Sequence, residues 1–414
     1  MSARSECGAI VVGGSITGLS SLRAFASHGI PVAVVATDRR DVAPYSRWAS
    51  ETHRLDDVQA DPESVLDLLE RQARRWRGRV VLTNLDEVAI LLARHRERLE
   101  RWYRIVTPPW DTIRHVMQKD LTYAAAREVG VDAPRSYGEA SLETAALDDV
   151  VFPVVVKPVE SRPFVVRFGV KLFVAHDRDE LRRRVEDVLA AALRAEIIDL
   201  VPGPDDLFYS YTVYIDRYGD PAAELCTRKL RKSPPFFGVA RVAEVASRSE
   251  LREPTLALLR RIGWRGMASV EYKLDPRDGR HRLMEINGRS FLIQGLAQRA
   301  GVNYPLLAWR ESVLGENVSA AFNGWGGVWI HLLDDLYYGL FHRAVEGASV
   351  RQYLTPYGRP KIFAVWSADD PKPFLMQGYH ALRHAAAASL DGEIRAALRS
   401  HVQGMPAGNG HSRP

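Results

Sequence analysis

The chain is poor in cysteine, with Cys7 and Cys226 its only two in 414 residues. That excludes a disulfide framework and suits a reducing compartment, so the cytoplasm is the expected location. No apolar run approaches the roughly 20 residues that a membrane-crossing helix needs, and no membrane span is expected. The N-terminal AIVVGG run is short and runs straight into glycine, so it reads as a first strand rather than a signal peptide. Nor is charge of one sign concentrated anywhere. The 56 Lys and Arg against 51 Asp and Glu leave only +5, scattered along helix-like stretches such as RQARRWRGR and DRDELRRRV. A nucleic-acid binder gathers basic residues with interleaved aromatics on one element, so no nucleic-acid partner is expected. No Ser/His/Asp or Cys/His arrangement points to a covalent enzyme intermediate.

What is present is an ordinary globular composition, 46% hydrophobic and 26% charged, in a chain too long for one core. GAIVVGGSITGLSSLRAFASHGIPVAVVATD reads as strand, glycine turn, helix and strand. DPESVLDLLERQARRW and EVAILLARHRERLERWY read as helices on either side of the strand RVVLTNLDE, giving a parallel α/β unit over residues 1–112. Beyond it, DTIRHVMQKDLTYAAAREVG reads as one amphipathic helix closed by Gly130. FPVVVKPVE and VKLFVAH read as strands, and DRDELRRRVEDVLAAALRA as a helix with an Asp N-cap. EIIDLVPGPDDLFYSYTVYID is strand, bend and strand; PAAELCTRKLRKSPPFFG is a strand running into a basic loop; MASVEYKLDPRDGRHRLMEIN is a hairpin.

The glycine turn, Gly13-Gly14-Ser15-Ile16-Thr17-Gly18, departs from G-x-G-x-x-G. Asp38 lies where a ribose-binding acid would sit, but a required glycine is missing, and tight packing explains the turn better than a nicotinamide site. Asp86 and Glu87, at the end of the third strand, are expected at the same crevice.

The hairpin carries the sharper signal. If its ladder closes with Asp275 facing His281, Glu271 stands opposite Glu285 and Ser269 opposite Asn287. Alternation puts these four on one face and Val270, Tyr272, Leu274, Met284 and Ile286 on the other. Facing carboxylates repel, and a hard divalent cation relieves the repulsion. The bland alternative is a solvated face on which Lys273 and Arg282 dilute the charge. Elsewhere in the sequence, Lys157 ends a buried strand, Lys119 sits on a helix, and RKLRK, Arg228 to Lys232, offers four cations in five residues for a phosphate clamp.

MQKD, FPVVVKP, EIIDLVPGPDD, RKLRKSPPFFG, GMASVEYKLDPRDGRHRLMEINGRS and AGVNYPLLAW, in that order over about 110–315, resemble the ATP-grasp superfamily, and within it carboxylate–amine ligases of the D-aspartate ligase type. The resemblance implies an α/β and α+β fold: a Rossmann-like pre-ATP-grasp domain over 1–112, and an ATP-grasp domain over 113–315 with a lid subdomain at about 120–195. A C-terminal extension is expected over 316–400, and the composition of MPAGNGHSRP leads us to expect a disordered stretch over 401–414. The resemblance implies ATP with Mg2+ or Mn2+ as cofactors. Lys119 and Lys157 would hold phosphates, and Ile197, Ile198, Asp199, Leu200 and Val201 would form the adenine hinge. Asp205 or Asp206 would bind ribose; Glu271, Glu285 and Asn287 would bind metal. Arg289, Arg228 and Lys229 would act on the reacting groups.

Two features depart from the pattern. The lid loop Ser161–Gly169 lacks the usual glycine and serine, leaving Arg162 and Arg167 as candidate substrate contacts, and the hinge has Asp199 where glutamate is usual. The implied reaction forms an amide through an acyl phosphate, joining a small-molecule carboxylate to an amine. Amino acids, or a carrier-bound or cell-wall precursor acceptor, are the candidates, and a homodimer is in keeping with the type. The alternatives are a carboxylase or carbamoyl-type enzyme that activates bicarbonate, and an ATP-binding sensor without turnover.

Overall fold

The computed structural model describes residues 7–159, 161–235, 237–342 and 347–388, excepting the side chains of 161, 162 and 384–388. The 401–414 tail therefore lies outside the described residues. The chain divides into two compact units, Met1–Ala133 with Pro202–Tyr379, and Pro134–Val201 with His380–Pro414. The lid subdomain expected at about 120–195 is thus displaced to 134–201, and the helices up to residue 128 belong to the larger unit.

In the larger unit the first sheet is parallel, built from β1 (Ala9–Val12), β2 (Val32–Ala36), β3 (Ala49–Arg54), β4 (Val80–Thr83) and β5 (Arg104–Ile105) in the order β3-β2-β1-β4-β5. Strands β1, β2 and β4 are buried along their whole length, as apolar runs covered on both faces must be. The sequence reading missed β3, because ASETHR is polar and half-exposed at the sheet edge. The strand order reverses between β1 and β4, opening a crevice at their C-terminal ends. There Gly13 has φ +99°, and a Cβ on it would lie 1.8 Å from Asn84 Oδ1, so only glycine fits. Buried Asp41 accepts from the backbone N–H groups of Gly14 (2.9 Å), Thr37 (2.7 Å) and Asp38 (3.1 Å). Asp38 itself pairs with Arg40 at the surface. The turn is a packed corner tied by Asp41.

In the smaller unit, β6 (Ser136–Glu139), β7 (Val154–Pro158), β8 (Phe173–Ala175) and β9 (Ala195–Asp199) form an antiparallel sheet ordered β6-β9-β7-β8. Asp177 caps the helix Arg178–Ala190, accepting from Glu180 N at 2.8 Å, as its sequence indicates. The segment read as a lid loop is instead the helix Ser161–Phe168. With no glycine before Gly169 and two phenylalanines four apart, it buries Phe164 completely, within 5.0 Å of the rings of Phe168 and Phe173.

The second sheet of the larger unit comprises β10 (Phe208–Ile215), β11 (Pro221–Ser233), β12 (Val239–Val245), β13 (Gly266–Leu274), β14 (His281–Asn287), β15 (Val328–Ile330) and β16 (Lys361–Phe363), ordered β14-β13-β10-β11-β12-β15-β16. One face buries Tyr209, Tyr211, Val270, Tyr272 and Ile286 in a core shared with Ile113, Tyr123 and Leu258, which lie in the helices Trp110–Met117, Lys119–Glu128 and Arg252–Arg261. The expected single helix over 111–130 is broken at Gln118, whose backbone is extended (φ −109°, ψ 112°), and Lys119 opens the second piece. Gly130 closes that piece at φ +71°. The basic run expected to be a loop stays within β11.

The C-terminal extension supplies β15 and β16 and two anchors. Asp335, fully buried in the helix Leu332–Phe341, receives Arg231 (2.7 Å), Arg241 (2.9 Å) and the Tyr357 hydroxyl (2.6 Å). Asp370 accepts from Arg23 (2.9 Å), Ser46 Oγ (2.7 Å) and Arg47 N (3.0 Å), fastening the extension to the parallel-sheet region. Among the described residues no helix is long and apolar enough to cross a membrane.

Candidate active site

The β13–β14 hairpin pairs Ser269 with Asn287, Val270 with Ile286 and Glu271 with Glu285, as the sequence indicated. It reaches that register by a different route. Leu274, not Asp275, faces His281, and an irregularity between Glu271 and Tyr272 absorbs one extra residue, Met284. Without that bulge Glu271 would face Met284. Asp275 is drawn into the bend, buried and held by Arg277 at 2.6 Å.

The pleat puts Glu271, Glu285, Ser269 and Asn287 on one face. Lys229 Nζ sits 2.6 Å from Glu271 Oε2, and Asn287 Nδ2 lies 3.5 Å from Oε1. Burial would raise the Glu271 carboxyl, but Lys229, Lys232 and Arg289 outweigh it and hold the group below the usual carboxylate range. Glu285 stays exposed.

Three ammonium groups converge on the Phe208 ring: Lys232 at 3.7 Å from its centroid, Lys273 at 5.0 Å and Lys229 at 5.6 Å. Residues 229 and 232 would point to opposite faces of a regular strand. Two register shifts in the β11–β12 pairing, at Lys229/Arg231 and Arg231/Lys232, let both reach Phe208 while Arg231 turns away to Asp335. Lys232 lies 3.7 Å from Asp205. Burial pushes the Lys232 ammonium down to about 7 and that of Lys273 down to about 8. Sequence reasoning gave Lys273 no role beyond diluting charge. Yet the parity that placed Glu271 on this face also placed the residue two further on.

Arg228 is the correction. Adjacent to Lys229 in a strand, it points to the opposite face, beside Tyr209 in the ladder. There it binds Glu244 through Nε (2.8 Å) and Nη2 (2.5 Å), and Arg359 takes the other Glu244 oxygen. The paired acids divide likewise, with Asp205 beside Lys232 and the charge of Asp206 acting on Arg228.

Arg289 follows Gly288, whose absent Cβ would lie 2.3 Å from the Trp264 ring. Its guanidinium forms a bidentate pair with Asp86, Nε to Oδ1 at 2.5 Å and Nη2 to Oδ2 at 3.0 Å. Burial works against its charge, while Asp86, Glu285 and Glu87 outweigh that and keep it protonated.

Lys119 belongs to the same unit, in the first turn of its helix. Lys157 and the hinge segment belong to the smaller unit, Lys157 paired across the ladder with Glu196. In that segment Ile197 and Ile198 lie mid-strand, with β6 and β7 on their two sides. Their backbone is committed to the sheet, and just past the strand end Leu200 N donates to Pro153 O at 3.3 Å. Asp199 is fixed by the Tyr137 hydroxyl at 2.7 Å. Arg167 lies over the Phe168 ring, and the Arg162 side chain lies outside the described residues.

Among the described residues no three His, Cys, Asp or Glu side chains gather into a metal-holding group. The donor set here is two carboxylates and a carboxamide, hard oxygen ligands that fit magnesium or manganese and leave positions for phosphate and water.

A sequence profile for the carbamoyl-phosphate synthase L chain, ATP binding domain, matches residues 239–311, which hold Glu271, Glu285, Asn287 and Arg289. D-aspartate ligase of Enterococcus faecium is 23% identical over 232 residues, 53% of this chain and 55% of that one. The chain thus spans about half the length of that ligase. Among solved structures, the biotin carboxylase–β,γ-ATP complex of Campylobacter jejuni superposes with a TM-score of 0.61 at 15% identity, covering 79% of this chain and 75% of that one. The L-amino acid ligase of Bacillus licheniformis gives 0.58 at 18%, covering 74% of each. These likenesses establish the fold.

Proposed function

Because the chain has the ATP-grasp fold of these relatives, we propose that it is an ATP-dependent carboxylate–amine ligase. An oxygen of the substrate carboxylate attacks the γ-phosphorus of ATP and ADP departs, leaving an acyl phosphate. The amine nitrogen then attacks the carbonyl carbon, phosphate leaves, and the nitrogen gives up its proton. Such chemistry asks the protein for positioning and charge neutralisation rather than a nucleophile.

The observation that carries the reading is Glu271 facing Glu285 across the hairpin, with Lys229 against Glu271 and Asn287 on the same face. Like charges set opposite one another in a ladder are unfavourable, and a hairpin selected for stability alone would not hold them. Glu271, Glu285 and Asn287 would hold magnesium or manganese, which when bound neutralises phosphate oxygens. Lys229 and Arg289 would meet the transferring phosphoryl group and the acyl oxygen. Lys119 and Lys157 are assigned to nucleotide phosphates, Leu200 and Val201 to adenine, and Asp205 to ribose. Arg228 is withdrawn from the catalytic set. The substrates we assign are a small-molecule carboxylate and an amine, with amino acids first among them.

The test is a screen for ADP formation over pairs of amino acids, with magnesium present and absent. Magnesium-dependent ADP release that requires both a carboxylate and an amine supports the reading. ADP release driven by bicarbonate alone, or nucleotide binding with no turnover for any pair, overturns it.

A further inference from the structure

We propose that Asp86 is a positioning residue for Arg289, through which the parallel sheet sets the geometry of the reacting centre. The inference rests on the functional reading above and adds a role for a residue 203 positions away in sequence.

A guanidinium carries five N–H donors in one rigid plane. In Arg289 two of them, on Nε and Nη2, go to the two Asp86 oxygens, and a third, on Nη1, goes to the backbone oxygen of Ser290 at 3.2 Å. Among the described contacts, one donor on each Nη is left to meet a substrate oxygen. Nη1 alone cannot fix the plane, because the arm of an arginine turns about several bonds. The bidentate grip of Asp86 fixes it.

The surroundings hold the backbone but not the fork. After β14 the chain is stitched to the parallel sheet by Ser290 N to Thr83 O at 3.1 Å. Gln294 Nε2 adds bonds to Ser21 Oγ (2.6 Å) and Thr17 O (3.1 Å). Those bonds would survive loss of the Asp86 charge, and the aim of Arg289 would not. Asp86 opens the helix Asp86–Arg94 with its side chain 49% exposed, against 20% for Arg289, so it is replaceable without opening a core.

The test is calorimetric binding of Mg·ADP, with and without fluoroaluminate as a mimic of the phosphoryl group in flight, to the full chain. Mg·ADP affinity in Asp86→Asn is expected to match the unmodified protein, while the gain on adding fluoroaluminate falls about tenfold, a coupling of the size neighbouring residues show. Asp86→Glu, which keeps the carboxylate, should retain most of the gain. Arg289→Lys should lose it, and adding Asp86→Asn to Arg289→Lys should change nothing more. A gain in Asp86→Asn equal to that of the unmodified protein, or losses that multiply in the double variant, overturns the inference. So does the absence of any gain in the unmodified protein. Failure of the unmodified protein to bind Mg·ADP at all overturns the functional reading instead.

Discussion

Lys229 and Glu271 meet at 2.6 Å, across 42 residues of sequence, with Lys229 only 8% exposed. The ammonium gives the carboxylate a partner on a face where Glu285 stands opposite. Replacing Lys229 with Met leaves Glu271 facing Glu285 without that partner, and we expect a loss of about 3 kcal/mol near neutral pH. The Glu271 carboxyl is held below its ordinary value of 4.5 in the folded chain. The stabilisation is therefore complete above about 4.5 and disappears as pH falls through the lower, folded value. Urea unfolding of both proteins from pH 7 down to pH 3 should show the two stabilities converging in acid.

Lys232 and Lys273 predict a slope of opposite origin. Both are depressed, to about 7 and about 8, from an unfolded value of 10.5. Between the folded and unfolded values the unfolded chain binds more protons, so stability rises with pH from about 7 to 10.5 and is flat below. Each group contributes at most about 1.4 kcal/mol per pH unit in that window. Thermal melts from pH 7 to 9, below the range in which the buried Cys226 thiol makes unfolding release a proton, should show the rise in the unmodified protein and a nearly flat line in a Lys232→Met/Lys273→Met variant.

Sequence and structure agree where the physical signal is local and part where it is not. Strands β1, β2 and β4 were legible because fully covered strands must be apolar throughout, and the hairpin faces because the pleat has a period of two. The same rule settles Arg228 and Lys229, neighbours in a strand that point opposite ways. It was not applied, because RKLRK followed by Pro234-Pro235 looks like a solvated loop. The bulge at Met284 and the shifts around Arg231 leave no mark in composition. The Asp86–Arg289 pair joins two stretches of the larger unit 203 positions apart in sequence, and nothing in either local stretch announces it.

Asp335 should be costly to remove. Its two buried partners, Arg231 and Arg241, are 11% and 0% exposed at the side chain and share it with the Tyr357 hydroxyl. Asp335→Ala strands both guanidiniums, and about 3–5 kcal/mol is expected from the urea midpoint. Because Arg231 lies in the strand that carries Lys229 and Lys232, Mg·ADP affinity should fall as well.

The two thiols should behave differently. Cys226 is buried, and burial pushes its thiol up to about 12, whereas Cys7 is partly exposed. Alkylation at pH 8 with iodoacetamide should label Cys7 alone in the native protein and both residues in denaturant, as read by peptide mass.

The facing pair at the hairpin is the centre of the account, and Glu285→Gln tests it most directly. Glu285 is exposed, so the substitution should leave the melting temperature within a degree or two. With a pool of amino acids and magnesium-ATP, ADP release should fall by roughly 100-fold or more, in line with the loss of one preorganised charge-stabilising group. ADP release equal to that of the unmodified protein would contradict the assignment of this hairpin as the metal-binding, phosphoryl-transferring site.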